Sequence, residues 1–174
     1  NKNDYSLKSE SNQSPFETNQ YLLQEGAYLI EYAAFFGSIQ IFKYLIANGV
    51  ELEKSLITFA IHGKSEELIH LLEEKFPNLS NESYYEYYEE SVKCHHNDFA
   101  NYFLNNYLDY KKIQKSFENF VNCIKYHNFL FINTYFIGQS SFYYLIAYDY
   151  PYLISLLFES TYIDTKYVKI YIIF

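Results

Sequence analysis

The chain has 174 residues, of which 49% are hydrophobic, so it is long enough and apolar enough to bury one sizeable core. Its formal net charge is −8 and all 13 basic residues are lysines, a balance that disfavours binding to a phosphate backbone or to an anionic lipid surface. We therefore expect neither a nucleic acid nor a membrane among its partners. The only cysteines, Cys94 and Cys123, are too few for a disulfide framework and favour an intracellular, cytoplasmic protein with free thiols.

The pattern of apolar residues divides the chain into two parts. Residues 1–20 are polar and predict a linker or the remnant of a preceding repeat. In 21–174, apolar residues recur every three or four positions in short segments separated by turn signals, which predicts one all-α repeat domain. The apolar end, 162–174, is expected to be an incomplete repeat or an end that pairs with another chain, because a terminal repeat should be capped by a polar face.

A unit of two short helices joined by a tight turn recurs along the domain. It is clearest at 33–37 (AAFFG) and 59–63 (FAIHG), and later copies stand at 93–97 (KCHHN), 124–128 (IKYHN) and 146–150 (IAYDY). The spacing is irregular, on the order of 20 to 35 residues. We expect the chain to reverse after the first helix at positions that tolerate positive φ, namely Gly37, Gly63, Asn97, Asn128 and Tyr150. A small residue before each turn should let the two helices approach closely, and these residues are Ala34, Ala60, Cys94 and Ala147.

The segment 33–49 (AAFFGSIQIFKYLIANG) resembles an ankyrin repeat, whose form is Ala-Ala-x-x-Gly, an apolar pair, Leu-Leu and x-x-Gly. Over about 28–107 the chain is similar to divergent ankyrin-type proteins of unknown function that are expanded in certain protists. The Thr-Pro-Leu-His opening is missing, and the β-turn fingers between repeats are eroded. The resemblance implies a helical solenoid of four to five stacked helix-turn-helix hairpins. It also implies a non-catalytic protein–protein interaction module, a scaffold or adaptor segment of a larger chain.

The resemblance also implies a binding surface. In ankyrin repeats, the two residues between the Ala pair and the Gly face the target-binding groove. The protein-binding residues carried over in this way are Phe35, Phe36, Ile61, His62, His95, His96, Tyr126 and His127, with Tyr148 and Asp149 next in the series. Aromatic and histidine side chains on a rigid exposed surface are suitable interface anchors, although the sequence leaves the protein partner unknown.

Three histidines each precede a predicted turn position by one residue: His62, His96 and His127. A shared zinc ion would need these imidazoles, with Cys94 or His95, about 2 Å from one point. Neighbouring hairpins lie about 10 Å apart, so no metal site is expected. A histidine in the last turn of a helix is instead expected to bond the free carbonyls and to meet the negative end of the helix dipole.

Two alternatives to a binding module stay open. One is a structural spacer within a longer repeat array. The other is an enzyme with a Cys/His site near Cys94, because Cys94 beside His95 or His96 suggests a nucleophile and its base. Neighbours on a helix point apart, however, and the repeat pattern places Cys94 in a buried slot. With no glycine-rich phosphate loop and no Ser/His/Asp motif, we expect no catalytic residue and no cofactor.

The run 84–90 (YYEYYEE) is the densest cluster of tyrosines and glutamates. Helical spacing predicts that Tyr84 or Tyr85 packs inward together with Tyr88. The glutamates of the run are then expected to lie in water.

Overall fold

The computed structural model describes residue 7, residue 22 and the ranges 27–132 and 141–159. These residues form ten α-helices and contain no β-strand, so the prediction of an all-α fold is confirmed. The helices are α1 (Leu29–Phe35), α2 (Ile39–Ala47), α3 (Leu56–His62), α4 (Glu66–Lys75), α5 (Asn81–Lys93), α6 (Asn97–Asn106), α7 (Tyr110–Gln114), α8 (Phe117–Lys125), α9 (Phe142–Ala147) and α10 (Pro151–Glu159). A short 3₁₀ helix, Phe129–Phe131, follows α8. Within these ranges no helix has both the length and the apolar character needed to cross a bilayer.

The two ends of the sequence lie mostly outside these ranges. Of the predicted linker 1–20, only Leu7 is described, and its half-buried side chain packs against the main hydrophobic core. The apolar segment 162–174 lies wholly outside the described residues. The predictions for these two segments therefore stay predictions.

Polar side chains mark where several helices begin. Three helices start at a serine whose hydroxyl oxygen accepts a hydrogen bond from a backbone amide of the first turn: Ser65 for α4, Ser80 for α5 and Ser116 for α8. Glu66 and Glu67 then lie in the first turn of α4, where the positive end of the helix dipole stabilises negative charge.

Five helices, the first of each hairpin, end in the same left-handed turn, which also closes α2 at Gly49 (φ 79°). At the end of α1 the Gly37 amide donates to the Ala34 carbonyl at 3.0 Å, and the Ser38 amide donates to the Ala33 carbonyl at 2.7 Å. Equivalent pairs of bonds close α3, α5, α8 and α9. The residues with positive φ in these turns are Gly37 (61°), Lys64 (50°), His95 (57°), His127 (56°) and Asp149 (58°).

Four of the five predicted turn positions are therefore displaced. Gly63 has φ −70°, Asn97 begins α6, and Asn128 has φ −102°. Tyr150 follows the left-handed Asp149. Non-glycine residues adopt the left-handed conformation here because each turn forms backbone hydrogen bonds to two carbonyls at the helix end. These bonds offset a backbone cost of about 1–2 kcal/mol.

The first helices of the hairpins contact one another in chain order. Contacts run from α1 to α3, from α3 to α5, from α5 to α8 and from α8 to α9. Each of these helices also packs on the element that follows its turn, which is α2, α4, α6, the 3₁₀ helix or α10 respectively. The core therefore lies between successive hairpins as well as inside each one.

A small buried residue precedes each of the first four turns, as the repeat pattern predicts, but not always at the predicted position. The slot is occupied by Ala33, Ala60, Ser91 and Cys123, which are 0–4% exposed. Cys94 was predicted to fill it, and this is wrong, because Cys94 is the half-buried C-cap of α5. Ala147 is also wrong, since it is exposed and Leu145 is buried in its place.

Buried polar side chains join the later hairpins. The Tyr88 hydroxyl on α5 donates to Asn119 Oδ1 on α8 at 2.9 Å. Asn128 Nδ2 donates to the Val92 carbonyl at 2.9 Å and to Asn97 Oδ1 at 2.8 Å. These bonds fix the position of the fourth turn on the third hairpin, because a buried polar group left without a partner costs about 1–3 kcal/mol.

Gly63 lies at the closest approach between the first two turns. A Cβ atom built on it would lie 2.4 Å from the Ala34 carbonyl oxygen and 2.8 Å from the Gly37 amide nitrogen. These neighbours are backbone atoms that cannot rotate away. The requirement for glycine at this position is therefore steric rather than conformational.

We expect Gly63→Ala to lower the free energy of unfolding by about 3 kcal/mol, the upper end of overpacking penalties, because α1 and α3 must separate. Gly49→Ala is the control: its φ is +79° but the added Cβ meets nothing within 4 Å, so it should cost only about 1 kcal/mol. Urea denaturation followed by circular dichroism measures both. Equal losses would contradict the close-approach explanation.

Candidate functional site

The ends of α1, α3 and α5 bring together side chains from three successive hairpins. We call Phe35, His62, Glu90, Lys93 and Cys94 the helix-end ladder. The rings of Phe35 and His62 stack with centroids 4.9 Å apart and planes inclined by 21°. His62 Nε2 lies 2.7 Å from Glu90 Oε1, and Lys93 Nζ lies 3.0 and 3.2 Å from the two oxygens of Glu90.

Cys94 completes the group and lies near both His62 and Glu90. Its Sγ lies 3.4 Å from His62 Nδ1, 3.9 Å from His62 Nε2 and 3.8 Å from Glu90 Oε1. The side chains of His62 and Glu90 are each 15% exposed, so the group is largely, but not completely, shielded from water. An imidazole, a carboxylate and a thiol are thus held within 4.8 Å of one another.

The surroundings shift the pKa values of the two acidic groups, Glu90 and Cys94, in opposite directions. Burial raises the pKa of Glu90, but the hydrogen bonds from His62 and Lys93 outweigh burial and leave that pKa below its ordinary value. Burial and the neighbouring Glu90 carboxylate raise the pKa of Cys94 to about 12. At neutral pH, Glu90 is therefore an anion and Cys94 a neutral thiol.

The predicted binding residues are only partly at the surface. Phe36 is 62% exposed, and His95 and His127 are also exposed. Phe35, His62, His96 and Tyr126 are half-buried. The prediction for Ile61 is wrong: it is fully buried, because the turn register pairs it with Ala34 and aligns His62 and Gly63 with Phe35 and Phe36.

The predicted residues also do not form one group. Burial lowers the pKa of His96 and the backbone of His62 opposes that shift, so His96 lies near the ladder. His127 instead forms a hydrogen bond through Nδ1 with the Tyr150 hydroxyl on the following turn. Of the predicted pairs, Phe35, Phe36 and His62 lie together at the first two helix ends.

Glu90 and Lys93 are functional candidates that the sequence analysis missed, because the glutamates of the tyrosine run were expected in water. Glu90 precedes Cys94 by four residues and Lys93 by three, so all three share one face of α5 and its C-cap. That spacing was visible in the sequence. The tyrosine prediction was incomplete in a similar way, since Tyr87 is buried along with Tyr84 and Tyr88.

A second contact continues the same surface to α8. The Asn122 side-chain amide donates to Glu89 Oε1, next to the ladder residue Glu90. Glu89 and Glu90 therefore bond the helices on either side of α5. Polar contacts of this kind run without interruption from α3 to α8.

Comparison of the chain with models of protein families, with characterised proteins and with solved structures finds no match. The resemblance to ankyrin repeats accordingly rests on the sequence, above all on the motif at 33–49. The chemistry of the ladder rests on the geometry given above.

The raised pKa of Cys94 predicts slow alkylation. In a Cys123→Ser background with EDTA present, Cys94 should react with iodoacetamide at pH 8 about a thousandfold more slowly than a free cysteine, because so little thiolate is present. Glu90→Gln should raise the rate severalfold by removing a neighbouring negative charge, whereas exposed Glu74→Gln should not change it. A wild-type rate equal to that of free cysteine would contradict this account.

Proposed function

We propose that the chain is a non-catalytic protein-binding module built as an ankyrin-like stack of helical hairpins. The observation that carries this proposal is Phe36. Its ring is 62% exposed at the end of the first hairpin, directly beside the helix-end ladder. A large exposed aromatic ring on a rigid surface is the usual form of an interface anchor.

The ankyrin-like arrangement is supported by the repeated turns and by the order of contacts. The first helix of each of the five hairpins ends in one pattern of backbone hydrogen bonds, and each first helix packs on the next first helix along the chain. A hairpin that cannot bury its apolar face alone does so against its neighbours in this arrangement. Five hairpins, the fourth with a short 3₁₀ helix as its second element, would agree with the expected four to five.

Rigidity of the surface also favours binding. Phe36 contacts Phe35 at 5.2 Å between ring centroids and stacks on Tyr32 at 6.3 Å. Phe35 is in turn stacked on His62, which is bonded to Glu90. An anchor whose neighbours are fixed loses little conformational entropy when a partner docks.

The cellular setting follows from the same chemistry. Both cysteines are free thiols, which fits the reducing environment of the cytoplasm. The net charge of −8 and the absence of arginine disfavour nucleic acid and anionic lipid as ligands. The partner of the proposed module is therefore a protein.

An enzyme with a site near Cys94 is the second candidate, and the 3.4 Å contact between Cys94 and His62 is the observation that favours it. A thiol nucleophile, however, needs a lowered pKa. Burial and Glu90 raise the pKa of Cys94 instead. The group therefore suits a neutral thiol, and we retain the non-catalytic proposal.

Capture of partners from a native cell extract tests the binding face. Phe36→Asp should weaken capture by about thirtyfold or more, because loss of an anchor costs about 2 kcal/mol. Tyr44→Asp is the matched control, since Tyr44 is 59% exposed on α2, a helix that contributes no residue to the ladder. His62 is left intact, because an aspartate there would face Glu90 and disturb the fold.

Mass spectrometry identifies the retained proteins, and far-UV circular dichroism verifies that each variant is helical. A partner held by the wild type and by Tyr44→Asp but lost by Phe36→Asp supports the proposal. Equal capture by Phe36→Asp and wild type contradicts it. No partner on any helical bait favours the alternative of a structural spacer in a longer array.

A further inference from the structure

We propose that His62, Glu90 and Cys94 bind one zinc-type transition-metal ion between α3 and α5. The site lies beside the proposed binding face but does not depend on it. Among the described residues, this is the only group of three histidine, cysteine or acidic side chains close enough to share an ion. The three come from two different hairpins, 28 and 32 residues apart along the chain.

The separations of the donor atoms fit a tetrahedral ion. Cys94 Sγ lies 3.9 Å from His62 Nε2 and 3.8 Å from Glu90 Oε1, and His62 Nε2 lies 2.7 Å from Glu90 Oε1. Around zinc, with bonds of about 2.0 to 2.3 Å, ligand atoms lie about 3.3 to 3.6 Å apart. An ion therefore enters when the hydrogen bond between His62 and Glu90 opens by roughly half an ångström.

The chemical types of the three ligand atoms determine which metal ions the site prefers. A thiolate and an imidazole favour zinc, copper(I) and cobalt over magnesium or calcium, which prefer oxygen ligands. As the metal–sulfur bond forms, the Cys94 thiol releases its proton to solvent and no electron is transferred. One thiolate and one carboxylate then neutralise the two positive charges of a zinc ion, so the ion and its three ligands together carry no net charge, whereas the empty site carries the single negative charge of Glu90.

The residues around the three ligands hold them in place. Lys93 Nζ lies 3.0 Å from Oε1 and 3.2 Å from Oε2 of Glu90 and so fixes the carboxylate, whose Oε1 also faces His62 and Cys94. Phe35 covers one face of the imidazole. Such outer contacts fix ligand orientation and limit the access of water.

Three protein ligands leave one tetrahedral position for water. The bound ion would cross-link the second and third hairpins. Because the site exists only in the folded chain, the metal should also raise the stability of the fold.

Cobalt(II) titration of the reduced, full-length chain tests the site directly. We expect a thiolate-to-cobalt charge-transfer absorption that saturates at one ion per chain and disappears when zinc is added. Cys94→Ser should abolish the absorption. Glu90→Gln should keep it but weaken the affinity more than about tenfold.

Two matched controls separate this site from adventitious binding. Cys123→Ser removes the other thiol, which is fully buried, and His70→Asn removes an exposed histidine; both should retain the absorption and the affinity. As a second readout, zinc should raise the melting temperature of the wild type but not of Cys94→Ser. A reduced, helical wild type with no charge-transfer absorption, or one whose absorption survives in Cys94→Ser, would overturn the proposal.

Discussion

The backbones of the first two hairpins are in direct contact where the hairpins join. The positions of the Phe35 and His62 side chains depend on this contact. The end of α1 lies so close to Gly63 that no side chain fits between them. At this separation the Phe35 ring reaches the His62 ring, and His62 reaches across to Glu90 on α5. A wider spacing would separate the rings of Phe35 and His62, because contact energy is lost within about an ångström.

The third and fourth hairpins are joined by polar side chains rather than by direct backbone contact. Between the third and fourth hairpins, Asn128 fills the space with its side-chain amide and bonds the Val92 carbonyl. Tyr88 and Asn119 add a second buried hydrogen bond between the same hairpins. A polar side chain of the right length can thus replace direct backbone contact, provided that each of its hydrogen-bonding groups finds a partner.

The sequence predicted the helices and the existence of the turns, because both depend on local patterns of three to five residues. The positions of four turns were predicted wrongly, because the left-handed residue was assigned by residue type. In the structure, paired backbone hydrogen bonds impose that conformation on Lys64, His95 and His127. The shift of one residue explains why Ile61 is buried although it was predicted to bind a partner. The contact between His62 and Cys94 spans 32 residues, and no local spacing could reveal it.

The left-handed turns also bear on how this surface could change over evolutionary time. At the last four turns the residue with positive φ is a lysine, a histidine or an aspartate, and each of these side chains is exposed. The turn itself is held by backbone atoms and by the buried residues before it. Charge and shape at these four tips can therefore vary almost independently of the core. A lineage carrying this fold could change the chemistry of its hairpin tips while the packing beneath them stays the same.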